Sequence, residues 1–113
     1  MEQTSPEILR GTLDLLVLQA LSGEALHGYA VARWIEVATN DALAVGEGTL
    51  YPALHRLEER GWIRAKWGVS ENNRRAKFYA LTPKGRRRLE VEAANWRRYA
   101  AAVASALDTS SGA

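Results

Sequence analysis

The spacing of apolar residues predicts four helices and one hairpin. In residues 8–21 and again in residues 27–39, apolar side chains recur every three or four positions, which is the period of a helix. A third amphipathic stretch ends at Gly61 and begins at either Gly46 or Thr49. The start at Gly46 leaves Pro52 inside the helix. We nevertheless favour this start, because the glycines at positions 46 and 48 would let a foreign backbone approach the first turn closely. The inward face of this helix is expected to consist of Leu50, Ala53, Leu54 and Leu57.

Residues 62–81 show the alternation of a β-hairpin. Asn72 and Asn73 separate its two strands and suit a turn, because asparagine tolerates a positive φ angle. On the second strand Lys77 and Phe78 are expected near the rim. On the first strand Ile63, Ala65 and Trp67 alternate with Trp62, Arg64 and Lys66, and on the second strand Tyr79 and Leu81 are expected to face the core.

The fourth helix is predicted to begin with Thr82 as its cap and Pro83 as its first residue, and to end near Leu107. Its apolar residues are separated alternately by four and three positions, the pattern of a packed helical seam. A helix of about 25 residues measures roughly 38 Å, so part of it must project from the domain, and the seam then needs a partner. The seam consists of Leu89, Ala93, Trp96, Ala100, Val103 and Leu107.

Three helices followed by a hairpin are the layout of a winged helix-turn-helix. The expected fold class is therefore mostly α (α+β), a winged helix-turn-helix with a C-terminal dimerisation helix. We expect residues 1–81 to form the DNA-binding domain, residues 82–107 the dimerisation helix and residues 108–113 a disordered tail.

Charge is divided unevenly along the chain. The net charge is only +2, but residues 56–88 hold eleven Lys or Arg against three acids, a net of +8. Such a block attracts a polyanion, although a solvated basic face without a partner would have the same composition. The chain has no cysteine, no signal peptide pattern and no long apolar run. We therefore expect a cytoplasmic protein without a membrane partner.

The cationic block coincides with the parts of a winged helix that meet DNA. On the third helix, Arg56 suits bidentate contact with guanine, and the hydroxyl groups of Thr49 and Tyr51 suit phosphates or base edges. Tyr51 could instead be a half-buried structural aromatic, and the hairpin tip could be only a solvated loop. The residues expected to contact DNA are Thr49, Tyr51, His55 and Arg56 on the helix and Asn72, Asn73, Arg74, Arg75 and Lys77 on the hairpin.

Four strings in this order resemble the PadR family of bacterial transcriptional regulators: LRGTLDLLVLQAL, LHGYAVARWIE, EGTLYPALHRLEERGWIRAKWG and ENNRRAKFYALTPKGRRRL. The resemblance extends over residues 8–107 and implies a homodimer that binds double-stranded DNA, usually as a repressor. The chain length resembles the short subfamily with a single C-terminal helix. From the geometry of paired recognition helices we expect a pseudo-palindromic operator with half-sites ~10 bp or a multiple apart.

The family's motifs fall on specific positions of this chain. Its helix-three motif corresponds to Gly48, Thr49, Leu50 and Tyr51, with Tyr51 in the place of a DNA-contacting tyrosine. Its helix-two motif falls on His27, Gly28 and Tyr29, which implies a DNA contact for Tyr29. One departure is Gly46, where many relatives carry a serine that caps the helix or contacts DNA.

The resemblance also implies an effector site near the dimer interface. Small aromatic or phenolic molecules release DNA from some family members, and Trp96, Asp14 and Leu15 correspond to positions that could line such a cavity. Trp96 could equally be plain packing in the seam.

Other classes of function have less support. No catalytic motif is present, so we expect no enzyme, and two histidines without cysteine predict neither a metal site nor a cofactor. A winged helix used only for protein association is the main alternative, but the +8 block argues against it. RNA binding remains open, although the sequence suggests no exposed aromatic platform for stacking bases.

Overall fold

The computed structural model describes residues 10–109, which form four helices and a three-stranded antiparallel sheet. The predicted helical residues 8 and 9 and the tail residues 110–113 lie outside the described part. In chain order the elements are α1 (Arg10–Ala20), β1 (Leu26–His27), α2 (Gly28–Ala38), α3 (Glu47–Glu59), β2 (Ile63–Val69), β3 (Arg75–Leu81) and α4 (Pro83–Asp108). The winged helix-turn-helix fold class predicted from the sequence is confirmed.

The sheet has the strand order β1-β3-β2, with β3 in the centre. In the hairpin, residue pairs run from Ile63 opposite Leu81 to Val69 opposite Arg75. Strand β1 was not predicted, because its two residues are too few to show a period. Residues 42–45 connect α2 to α3 without forming a strand, and the side chains of Leu43 and Val45 pack against the core.

The core forms where the predicted inward faces of the helices meet the sheet. Tyr79 and Leu81 are buried as predicted, and Ile63 is buried with them, whereas Trp67 is 56% exposed. Trp67 is exposed because the hairpin extends past the body of the domain, where its inner face has nothing to pack against. The fully buried large side chains are Leu13, Leu18, Leu21, Ile35, Leu50, Leu54, Leu57, Ile63, Val17 and Val31.

The start of α4 is joined tightly to the root of the hairpin. The Thr82 hydroxyl donates to the carbonyl of Gly61 at 2.6 Å and accepts from Gly85 N at 3.0 Å, so Thr82 caps the helix as predicted. Thr82 N also donates to the carbonyl of Trp62 at 3.0 Å. After the buried Leu89, α4 leaves the body, and the described residues span 60 × 37 × 21 Å.

Candidate nucleic-acid interface

The start of α3 is built from backbone groups without a side-chain cap. Gly46 is the N-cap, and its carbonyl accepts from Thr49 N at 3.1 Å and from Leu50 N at 2.9 Å. Pro52 lies inside the helix and has no N–H to donate to the carbonyl of Gly48. The earlier of the two predicted starts is therefore confirmed, and it leaves the backbone around Gly48 exposed.

Buried side chains fix the rotation of α3 about its axis. The predicted inward residues Leu50, Ala53, Leu54 and Leu57 are all buried. The opposite face therefore points away from the core. The residues exposed there are Gly48, Thr49, Tyr51, Pro52 and His55. His55 Nε2 also lies 3.3 Å from Glu59 Oε2. Any anion that approaches His55 therefore also meets the carboxylate of Glu59.

Tyr51 lies over the start of α2. A Cβ atom on Gly28 would be 2.7 Å from the Tyr51 hydroxyl oxygen, so the missing side chain at position 28 makes room for the ring. His27 caps α2 by accepting from Ala30 N at 3.2 Å, and Tyr29 beside it is 73% exposed. The first N–H groups of a helix lack intrahelical partners and carry a partial positive charge, which favours phosphate. The phenols of Tyr29 and Tyr51 flank such a helix start.

The wing is the hairpin of β2 and β3, with its turn at residues 70–74. Ser70 N donates to the carbonyl of Arg74 and Asn73 N to that of Ser70, each at 2.8 Å. Asn73 takes the predicted positive φ angle, 58°. Arg74 is exposed at the tip, and the Arg75 guanidinium lies 4.6 Å from the centroid of the exposed Trp67 ring.

Lys77 is held at the root of the wing. Its Nζ lies 3.8 Å from Glu58 Oε1 and 5.8 Å from the centroid of the Tyr79 ring. Burial raises the pKa of the Tyr79 phenol above its ordinary value, and Glu58 and Tyr51 act in the same direction. The phenol therefore stays neutral beside Lys77.

One hollow of about 470 Å³ lies between the wing, the start of α2 and Tyr51 of α3. We call it the wing hollow. It brings together six of the predicted DNA contacts, namely Tyr29, Tyr51, Asn72, Arg74, Arg75 and Lys77. Trp67 also lines it, and the sequence prediction did not single out this residue because alternation along a strand does not show which face is covered. Tyr29, Tyr51 and Trp67 are all exposed, so aromatic rings face solvent at this hollow.

Arg56 does not lie on the exposed face of α3. Its Nη2 donates to Asp14 Oδ1 on α1 at 2.7 Å, and the two side chains are only 20% and 14% exposed. The guanidinium is thus committed to a carboxylate away from the wing hollow. We correct the sequence prediction accordingly: this geometry does not leave Arg56 free to read a base. The signal missed was its position beside the buried Leu57, on the flank of the leucine face.

The cationic block divides into two surfaces. Arg74, Arg75 and Lys77 line the wing hollow. At the other end of the hairpin, Trp62 lies between the guanidinium groups of Arg60 and Arg88, 5.1 and 5.0 Å from its ring centroid. The sequence count of +8 therefore overstates the charge that any one ligand surface can present.

The C-terminal half of α4 exposes an apolar stripe. Trp96, Val103 and Leu107 are all exposed, and Leu107 is 78% exposed. Half of the six seam residues that the sequence predicts to need a partner are thus exposed. Between α1 and α4 lies a cavity of about 300 Å³, which we call the α1–α4 cavity. Its lining consists of Leu15, Leu16, Gln19, Ala93, Trp96, Arg97 and Ala100.

Of the three predicted effector-site residues, Leu15 and Trp96 line the α1–α4 cavity. Asp14 does not, because its carboxylate turns toward Arg56. Within residues 10–109 no three acids or histidines gather as a metal ion would need. None of the helices in the described part of the chain has the length and apolar character needed to cross a membrane.

Comparison with known proteins agrees with this geometry. The model of the transcriptional regulator PadR-like family matches residues 17–91. A PadR-like transcriptional regulator from Bacillus cereus has a TM-score of 0.77 and 26% identity, with 90% of this chain and 97% of that chain covered. A PadR family transcriptional regulator from Eggerthella lenta has a TM-score of 0.73 and 31% identity, covering 89% and 86%.

A transcriptional regulator of Mycobacterium tuberculosis is 32% identical over 81 residues, which are 71% of this chain and 71% of that protein. Members of the matched family are transcriptional regulators and not enzymes. The matched segment runs from the end of α1 through the wing into α4 and so contains all of the helix-turn-helix and hairpin described above. This chain therefore belongs to the PadR-like family of transcriptional regulators.

Proposed function

We propose that this chain is a homodimeric repressor that binds double-stranded DNA sequence-specifically through α3 and the wing. The observation that carries the proposal is the wing hollow, where phenols, guanidinium groups and the start of α2 converge. Such groups donate hydrogen bonds to phosphate oxygens and fix the register of a protein on the duplex. Tyr29, Tyr51, Arg74, Arg75 and Lys77 are the proposed backbone contacts.

Base recognition would come from the exposed face of α3. This helix presents its N-terminal half beside the wing hollow, as a recognition helix does in the major groove. Gly48 has no side chain and so lets the helix approach closely, while Thr49 and His55 carry groups that can reach base edges. Asn73, at the turn of the wing, is the proposed contact in the adjacent groove.

Two copies would pair through α4. The stripe from Ala93 through Trp96, Ala100 and Val103 to Leu107 keeps heptad-like spacing and lies outside the core, and Leu89 anchors its first turn to the body. An apolar surface of this kind supports association with an identical helix. A two-fold dimer would present two α3 helices to a pseudo-palindromic operator, with half-sites ~10 bp or a multiple apart.

Release of DNA by a small aromatic or phenolic effector is part of the proposal. The α1–α4 cavity supports it, because Leu15, Leu16 and Trp96 offer an apolar surface while Gln19 and Arg97 offer polar groups. Its volume, about 300 Å³, is at the lower end of ligand-binding sites and suits a single aromatic ring. An effector would act only by binding the non-operator arrangement of the two heads more tightly than the operator-bound one.

Selection from a random duplex library tests the DNA-binding proposal. The purified protein should enrich a pseudo-palindromic sequence, and binding to it should resist a large excess of random duplex while weakening steeply with salt. Single-stranded oligonucleotide is a second competitor, included because of the exposed rings in the wing hollow. Enrichment of no duplex, together with a stable dimer, would favour the alternative of a protein-association module. Competition by single strands at lower concentration than duplex would point to single-stranded nucleic acid.

A further inference from the structure

One ion pair among the described residues joins two helices. Arg56 on α3 and Asp14 on α1 are 42 residues apart in the chain and meet at 2.7 Å. A second pair between elements, Lys77 with Glu58, joins β3 to α3 at 3.8 Å and is more exposed. The other pairs each lie within a single helix, and these are Arg33–Glu36, His55–Glu59 and Arg88–Glu92.

The Arg56–Asp14 pair is a weak source of stability. Both side chains are largely removed from water, and Arg56 Nε is buried without a hydrogen-bond partner within the protein. The desolvation of two such charges offsets much of their attraction, so well-packed apolar residues would often hold two helices together equally well. What the charged pair adds is a fixed arrangement, because it is satisfied at one relative position of α1 and α3.

The pair also lies where the arrangement of α3 matters. Arg56 follows Tyr51 by five residues, or about 7.5 Å along the helix axis. Crossing angles of packed helix pairs scatter by ~15–20° about their preferred values, so the packing of apolar ridges into grooves specifies such an angle only to within that range. Over that length, a change in the angle of α3 moves Thr49 and Tyr51 by a large part of a hydrogen-bond length. A contact that fixes the angle therefore decides whether these side chains meet their targets.

We propose that Arg56 is a positioning residue: held by Asp14, it sets α3 on α1 at the angle that DNA recognition requires, without itself contacting DNA. This inference rests on the proposed DNA-binding function and assigns the residues that hold the recognition helix in place.

The variant Asp14→Asn distinguishes the positioning role from a purely electrostatic effect of the Asp14 charge on DNA binding. Removing a negative charge near a DNA-binding surface would strengthen binding if charge alone mattered. The positioning role predicts the opposite result, a loss of about tenfold in affinity for the selected duplex. Affinity for random duplex should fall less, because it lacks the base contacts of α3, and the dependence of binding on salt should stay as in the unsubstituted protein, because the cationic contacts of the wing are unchanged.

Arg56→Gln should give the same loss of affinity. The double variant Asp14→Asn with Arg56→Gln should bind no more weakly than either single variant, because all three remove the same ion pair. Asp14→Glu keeps a carboxylate and should recover most of the affinity. Glu92→Gln is the matched control: it breaks an exposed pair within α4 with the same change of charge and should leave duplex binding unchanged. Circular dichroism at the assay temperature checks that every variant has the helix content of the unsubstituted protein.

Two outcomes would overturn the positioning role while leaving the proposed function intact. In the first, Arg56→Gln alone weakens binding, and Asp14→Asn binds as tightly as the unsubstituted protein or more tightly, so that Arg56 contacts DNA directly. In the second, neither variant changes the affinity for the selected duplex. If the unsubstituted protein itself selects no duplex, the proposed function fails and the positioning role fails with it.

Discussion

The Tyr51 hydroxyl reaches the start of α2 because residue 28 has no side chain. The space that a Cβ atom would take is already occupied by the phenol oxygen and two ring carbons, all within 3.0 Å. Gly28 thus determines where the proposed phosphate contact of Tyr51 lies. At this scale the proposed function depends on an absent side chain as much as on the groups proposed to contact DNA.

Gly28→Ala should reduce DNA binding with little effect on stability. The displaced atoms are the far end of a side chain at the protein surface, so the ring can move aside at small cost. Losing one hydrogen bond to a charged phosphate oxygen should weaken duplex binding about tenfold, or ~1.5 kcal/mol. Gly11→Ala is the control, because a Cβ atom there meets nothing within 4 Å. Thermal unfolding and a gel shift check the two effects, and unchanged affinity would remove Tyr51 from the interface.

Arg74→Ala should weaken binding to every duplex to the same extent. Arg74 is exposed at the tip of the wing and is proposed to meet the DNA backbone, which carries no sequence information. The slope of log affinity against log salt should fall in magnitude by about one. Arg98→Ala removes an equal charge from α4 and should leave the slope unchanged. A slope that Arg74→Ala does not alter would exclude the tip from the contact.

At the scale of elements, the junction between α3, β2 and α4 determines how the wing and the last helix are placed. Gly61 ends α3 with a φ angle of 77°, and its carbonyl accepts from the Thr82 hydroxyl. A Cβ atom on Gly85 would be 1.8 Å from the carbonyl oxygen of Trp62. The obstacle here is backbone, which cannot rotate away as the ring of Tyr51 can.

Gly85→Ala should therefore destabilise the fold by about 1–3 kcal/mol or more. In urea denaturation the midpoint should fall while the slope m stays constant, because the surface exposed on unfolding is unchanged. Gly11→Ala again serves as the control, since it adds the same methyl group to a helix in open space. A midpoint equal to that of the control would mean that α4 can shift away from β2 freely.

The sequence predicted the elements better than the site. Strong periods specified all four helices and the inward faces of α2 and α3, because burial of Val31, Ile35 and Leu50 requires regular spacing. Periodicity could not predict which face remains covered once an element leaves the body, as the exposure of Trp67 shows. Nor could it predict the partner of Arg56, since Asp14 lies on another helix and only the folded chain brings them together.

At the scale of the whole molecule, α4 extends beyond the domain that starts it. The described residues measure 60 Å in their longest dimension, and the exposed stripe of α4 lies on the projecting part. A second copy would cover this stripe and would also place the two α3 helices at a fixed separation. The proposed dimer therefore also determines the spacing of the proposed operator half-sites.

Val103→Glu combined with Leu107→Glu should convert the proposed dimer into a monomer. In a dimer the two glutamates of one copy would face those of the other across an apolar seam. Neither solvent nor an opposite charge is available there to offset their repulsion. Sedimentation velocity over a range of concentrations measures the change, and Val37→Glu, another exposed valine placed on α2, is the control. A double variant that still sediments as a dimer would move the interface elsewhere.

Hydroxyl-radical footprinting of the protein on its selected duplex tests the central claim most directly. Two α3 helices in successive major grooves, flanked by two wings, predict two symmetric protected regions with centres ~10 bp or a multiple apart. Arg74→Ala should remove the outer protection of each region and keep the inner one. A single protected region, or weak protection spread evenly along the duplex, would contradict the account of a two-fold dimer reading DNA with α3.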